Sequence, residues 1–90
     1  MIERKNRKIG FLPRSVYFKP AGVPLRNLDS VALTLAESEA LRLKYLLKLP
    51  QTKAARRMRV SQSTFHRTLR SAQTKLAEAI VRGRAIRIEL

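Results

Sequence analysis

The stretch Gln51 to Arg70, QTKAARRMRVSQSTFHRTLR, constrains this chain more than any other. Ala55 is small at the point where one helix must let a second come close. Met58, Val60, Phe65 and Leu69 fall where two helices would meet. Ser61 stands where the second helix should begin, because a serine hydroxyl can accept from an amide the helix leaves unpaired. The spacing is that of a helix-turn-helix. In such a unit the second helix enters the DNA major groove and its first residues reach base edges.

Charge points the same way. No acidic residue occurs between Glu39 and Glu78. The cations in that gap are Arg42, Lys44, Lys48, Lys53, Arg56, Arg57, Arg59, Arg67, Arg70 and Lys75. The whole chain has 20 Lys and Arg against 6 Asp and Glu, a formal charge of +14. Small proteins stay soluble with far less excess, so the balance implies a polyanionic partner. Charge by itself does not separate DNA from RNA or from an anionic membrane. Its clustering over the helix-turn-helix favours a nucleic-acid face.

Ninety residues fit one small domain with a modest core. With no cysteine and one histidine, disulfides and zinc fingers are excluded, and no metal or cofactor is expected. No apolar run approaches the ~18 residues of a membrane span, and the start lacks the basic-then-apolar layout of a signal peptide. A cytoplasmic protein is the resulting expectation.

Residues Met1 to Lys8 read as a flexible basic arm through Arg4, Lys5, Arg7 and Lys8, or equally as a frayed terminus. Residues 9–90 then form a single domain. Gly10, Pro13, Pro20, Gly22 and Pro24 argue against a long helix between Ile9 and Asn27. Ser15 to Lys19 favours a short strand, and Phe11, Leu12, Tyr17 and Phe18 are expected to pack this loop on the helices. Thr34 and Glu37 form a capping box. A first helix follows from about Leu35 to Lys48 and stops near Pro50, since the residue before proline avoids helical geometry. Gln51 to Arg59 makes the second helix, with Arg59 and Val60 as the turn.

The third helix runs from Gln62 to about Val81 and is capped by Ser61. Phe65, Leu69, Ala72, Leu76, Ala79 and Ile80 share one of its faces. The near end of that stripe reads as core, and Leu76 to Ile80 as either core or a dimer seam. Gly83 closes the helix in a left-handed conformation. Ile86, Ile88 and Leu90 then alternate with charge as a short strand, which could pair near Tyr17 or with Val31 to Leu33. The expected fold is mainly α: a three-helix helix-turn-helix domain with an irregular N-terminal segment and short peripheral strands.

The opposite face of the third helix carries Gln62, Ser63, His66, Arg67 and Arg70. Glutamine can pair with adenine, arginine with guanine, and serine with several bases. Gln62, Ser63, His66 and Arg67 are therefore base-reading candidates, and Arg70, a turn further on, touches a base or a phosphate. Lys53, Arg56 and Arg57 on the second helix suit phosphate contacts, which position a protein without reading sequence. Ser61 and Thr64 at the helix start, and Arg59 in the turn, complete the phosphate set. Arg59 stands where the turn normally takes glycine. A non-glycine residue in the left-handed region costs roughly 1–2 kcal/mol, so either the turn differs or a cation is kept there to meet phosphate.

The segments IGFLP, YFKPAGVPL, LTLAESEALRL, AARRMRVSQSTF and RAIRIE resemble a family of small prokaryotic proteins of unknown function described as predicted DNA-binding proteins. The likeness runs from about Ile9 to Glu89. Leu35 to Ile80 also resembles the fourth region of sigma factors, which reads a promoter element with a helix-turn-helix. The resemblance implies a helical DNA-binding domain of the kind that transcription regulators carry. This chain departs from the family in having Thr52, Lys53, Arg56 and Arg59 where relatives carry acidic residues and a turn glycine. It also lacks the N-terminal cysteines of some relatives, so no metal role carries over.

Sequence-specific binding of double-stranded DNA is thus the leading expectation, with a homodimer suggested by the long third helix and by an open edge on the last strand. The alternatives are an RNA-binding or ribosome-associated protein, and a sigma-like module docking on RNA polymerase. Single-stranded RNA readers usually show aromatic platforms, and only Phe11, Tyr17, Phe18, Tyr45 and Phe65 are available, Phe65 as core. An enzyme is not expected, because no nucleophile–base set can be assembled from these residues.

Overall fold

The computed structural model describes residues 8–11 and 16–90. Most of the expected basic arm, together with Leu12 and Ser15, lies outside the described residues. The fold is mainly α, with three helices on a small sheet. In chain order the elements are β1 (Tyr17–Phe18), a 3-10 turn (Leu25–Asn27), β2 (Ser30–Leu33), α1 (Leu35–Leu41), α2 (Gln51–Arg57), α3 (Gln62–Arg82) and β3 (Ala85–Ile88).

The capping box forms as expected. The Glu37 amide donates to Thr34 Oγ1 at 3.0 Å, and the Thr34 amide donates to Glu37 Oε1 at 2.8 Å. The α1 geometry ends earlier than Lys48, because Arg42–Leu46 winds as a π-helix. The Leu47 amide bonds to the Arg42 carbonyl, five residues back. Termination does not wait for Pro50: Lys48 takes φ 58°, and the Leu49 amide folds back to the Leu43 carbonyl at 3.0 Å.

The same closure ends the next two helices. Arg59 has φ 58°, and the Val60 amide reaches the Ala55 carbonyl at 3.1 Å. Gly83 has φ 68°, and the Arg84 amide reaches the Ala79 carbonyl at 2.9 Å. In each case a left-handed residue lets the following amide pair with an orphan carbonyl. At the first two ends the following residue is apolar, and Leu49 and Val60 both pack against the core. A basic residue therefore occupies a glycine-favouring conformation twice, and α2 ends at Arg57 rather than Arg59.

The core is Ala36, Ala40, Leu43, Ala54, Ala55, Met58, Phe65 and Leu69. Phe65, Leu43 and Met58 are its largest fully buried side chains. Ala54 and Ala55 supply the close approach of α2 to α3, as the spacing required. Further along α3, Ala72 and Ala79 are buried and Leu76 is half-buried, but Ile80 is 75% exposed. At 100° per residue Ile80 lies about 60° round from the centre of the stripe, which explains why it leaves the core.

The sheet order is β1-β3-β2. β3 runs antiparallel to β1, with Tyr17 opposite Arg87, and parallel to β2, with Val31 opposite Ile86. Both expected pairings thus occur together. β3 is the central strand, so the open edge that favoured a dimer does not exist there. The loop expectation also needs correcting at Tyr17 and Phe18, which are 41% and 53% exposed. Phe11 does pack on the helices: it is half-buried, with its ring 5.2 Å from the Arg42 guanidinium carbon.

Candidate nucleic-acid interface

Ser61 and the residues after it set the start of α3. Ser61 is extended (φ −68°, ψ 159°), and its Oγ accepts from the Thr64 amide at 3.1 Å. The Ser61 hydroxyl also reaches Thr64 Oγ1 at 2.9 Å and lies 3.2 Å from Ser63 Oγ. Arg67 Nη2 donates to Thr64 Oγ1 at 3.2 Å. A chain of hydroxyls thus joins the cap to Arg67 and restrains that side chain on the helix surface. Ser61 and Thr64, expected as phosphate ligands, are first of all the supports of Arg67.

Gln62, Ser63, His66, Arg67 and Arg70 are all exposed. Their helical positions fall within an arc of about 140° that points away from the buried stripe. Four of them, Gln62, Ser63, His66 and Arg67, line one shallow concavity. Arg70 lies outside it. The fifth lining residue is Gln51, at the start of α2, which the sequence reading passed over. Its signal was available: the residue after Pro50 opens α2, and the first turn of α2 lies beside the first turn of α3 in a helix-turn-helix. Two glutamines, a serine, a histidine and an arginine then offer donors and acceptors over one surface, the mixture that base edges require.

Lys53, Arg56 and Arg57 are exposed on α2 and line a groove beside Leu49. Arg59, also exposed, lies in the turn. Among the described residues, ion pairs take only two cations of the acid-free stretch. Arg42 Nε donates to Glu39 Oε1 at 2.7 Å, and Lys75 Nζ to Glu37 Oε1 at 2.9 Å. These two were counted with the basic face on sequence grounds, and the structure removes them from it. The cause lies in the acids: Glu37 and Glu39 bound the gap in sequence, but folding turns both inward, to 5% and 3% exposure. Lys44, Lys48, Lys53, Arg56, Arg57, Arg59, Arg67 and Arg70 keep a net positive surface around α2 and the start of α3.

Burial pushes the Glu37 carboxyl up, but bonds from Ser71, Lys75 and the Thr34 amide outweigh it, so it is held below the ordinary carboxylate range. The Glu39 hydrogen bond holds the Arg42 guanidinium even more firmly charged than usual, against a smaller opposing effect of burial. Neither acid faces the concavity of Gln62 and Arg67.

Three helices on a three-stranded sheet, with an exposed polar helix start on a basic surface, define a small, mainly α domain. The chain belongs to the family described as protein of unknown function DUF134, which matches residues 1–89. It is 53% identical over 85 residues to a UPF0251 protein of Desulforudis audaxviator, covering 94% of this chain and 56% of that one. It is 51% identical over 85 residues to the UPF0251 protein DET0218 of Dehalococcoides mccartyi, covering 94% of this chain and 73% of the relative. A UPF0251 protein of Syntrophomonas wolfei is 49% identical over 87 residues, covering 97% and 67%. The chain thus spans little more than half the length of the first of these relatives. No solved structure matches it. Among the described residues, no helix is long and apolar enough to cross a membrane.

Proposed function

We propose that this chain binds double-stranded DNA in a sequence-specific way, with α3 in the major groove, and acts as a transcription regulator. The observation that carries this reading is the concavity at the start of α3. Gln62, Ser63, His66 and Arg67 stand there beside Gln51, and no acid lines that concavity. Arg67, restrained by Thr64, is the residue best placed to meet a guanine. Gln62 and Gln51 suit adenine, and Ser63 and His66 fill between them. Lys53, Arg56, Arg57 and Arg59 supply the phosphate attraction, and Arg70 extends the face along the groove. The likeness of Leu35 to Ile80 to the fourth region of sigma factors supports the same docking.

RNA binding draws less support, because Phe65 is fully buried and Phe18 lines a different groove, with Ile80 and Ile86. Neither supplies a stacking platform beside the reading residues. The reading is tested by selecting bound duplexes from a random pool with the cytoplasmic protein as expressed. A recovered motif supports it. Recovery of no motif, with equal binding to duplex and to single-stranded RNA, overturns it.

A further inference from the structure

The N-terminal segment described at residues 8–11 is fastened to the helix-turn-helix rather than trailing from it. The Lys8 amide donates to the Met58 carbonyl at 3.2 Å, at the end of α2. The Gly10 amide donates to Glu39 Oε2 at 2.9 Å. Glu39 also receives two bonds from Arg42, at 2.7 and 3.1 Å, and the Arg42 guanidinium lies over the Phe11 ring. A Cβ at Gly10 would lie 2.7 Å from Arg42 Nη2 and 3.2 Å from Glu39 Oε2, so a side chain there would press on the Glu39–Arg42 pair.

The consequence is a second basic concavity. Lys8, Arg56, Arg57 and Arg59 surround a hollow of about 540 Å³ floored by the Glu39–Arg42 pair. It shares no residue with the concavity of Gln62 and Arg67. Its one carboxylate is 3% exposed and already holds three hydrogen bonds. Among the described residues, no acid pairs with Lys8, Arg56, Arg57 or Arg59. Four unpaired cations line the hollow, so an anion that enters it is attracted by all four. The hollow is within the size range of sites that hold whole ligands and exceeds the needs of one small anion.

We propose that Lys8 joins Arg56, Arg57 and Arg59 in one phosphate-binding cradle for the duplex backbone flanking the bases that α3 reads. Glu39 acts through Gly10 as a positioning residue that brings Lys8 to the cradle. The proposal rests on the duplex-binding reading above and makes Arg59 a clamp residue. It also accounts for an arginine in a left-handed turn position, where glycine would be unstrained.

The test titrates the chain, with Lys8→Gln, Arg59→Gln and the double variant Gln62→Ala/Arg67→Ala, against random-sequence duplex over a range of salt. Circular dichroism checks that each variant is folded. Tripolyphosphate at low salt is a separate arm. Lys8→Gln and Arg59→Gln should each flatten the plot of log affinity against log salt by about 0.9, an affinity loss of about eight-fold at 0.1 M salt. The same losses should appear when each is combined with the Gln62/Arg67 double variant. Unchanged slopes in Lys8→Gln and Arg59→Gln, with the unaltered chain still bound to duplex, overturn the cradle and leave the reading face standing. If the unaltered chain binds no duplex, the DNA reading fails, and tripolyphosphate decides the cradle by itself. Saturable binding lost in Arg59→Gln supports a phosphate site, and absence of binding overturns that too.

Discussion

The Lys75 ammonium stands 2.9 Å from Glu37 Oε1 and ties the middle of α3 to the first turn of α1. Lys75 also donates to the Ala32 carbonyl at 2.7 Å, so one side chain joins α3 to both α1 and β2. Glu37 is satisfied four-fold, by Thr34, Lys75 and Ser71 at its oxygens and by its own amide in the cap. This lysine is therefore structural and not part of the proposed DNA-binding face. Lys75→Met should cost ~3 kcal/mol, near the lower end for breaking a buried pair, because the ammonium is partly exposed. Chemical denaturation measures that cost, and the salt slope for duplex binding should stay unchanged in the folded variant.

Acid should act through the same group. The folded chain holds the Glu37 carboxyl below its ordinary range. A depressed carboxylate contributes stability that is full above the unfolded value and is lost as pH falls through the folded one. The melting temperature should drop between about pH 5 and pH 2, and Glu37→Gln should start lower and lose less over that interval. An equal loss in both would assign the acid sensitivity elsewhere.

Arg59 separates stability from binding. Arg59→Gly relieves a side chain held at φ 58° and should raise stability by up to ~1 kcal/mol, the strain relief being offset in part by glycine's freedom when unfolded. DNA affinity should fall in the same variant. Thermal melts and duplex titration check both signs.

How much of this was legible in the sequence follows from range of interaction. Caps and turns depend on neighbouring residues, so the Thr34–Glu37 box, Ser61 and Gly83 could be read directly, while the left-handed Arg59 was one of two readings of its turn. The helix pairing was legible because Ala55, Met58, Phe65 and Leu69 repeat at helical spacing. What could not be read were partners far apart in the chain. Glu37 meets Lys75 and Ser71, and Glu39 meets Gly10; for β3 both partner segments were legible, but not that it pairs with both at once. The π-helical winding at Arg42–Leu46 had no local signal. Gln51 lines the concavity from the start of α2, a place that the adjacency of the two helix starts makes legible but that a search along α3 alone passes over.

Assembly on DNA can be stated as an expectation without the strand edge. Ile80 and Val81 are 75% and 83% exposed, near the end of an α3 that is longer than a minimal unit needs. Two chains per selected site are expected, on a palindromic motif with half-sites ~34 Å apart or a multiple of that. Ile80→Lys should then reduce the complex to one chain. Sedimentation of the DNA complex decides it, and one chain per site on a non-palindromic motif ends the dimer.

The electrostatic share of binding is measured by salt. Contact with about six phosphates predicts a slope near −5 in log affinity against log salt. Lys53→Ala, Arg56→Ala and Arg57→Ala should each flatten it and weaken all duplexes alike, and a slope near zero removes the electrostatic account.

The reading face is tested most directly by comparing the Gln62→Ala and Arg67→Ala variants on the selected duplex and on random DNA at one salt concentration. Each should lose ~1–3 kcal/mol on the selected duplex and clearly less on random DNA. Equal losses on the two duplexes would contradict base reading by α3 and leave these residues as phosphate contacts.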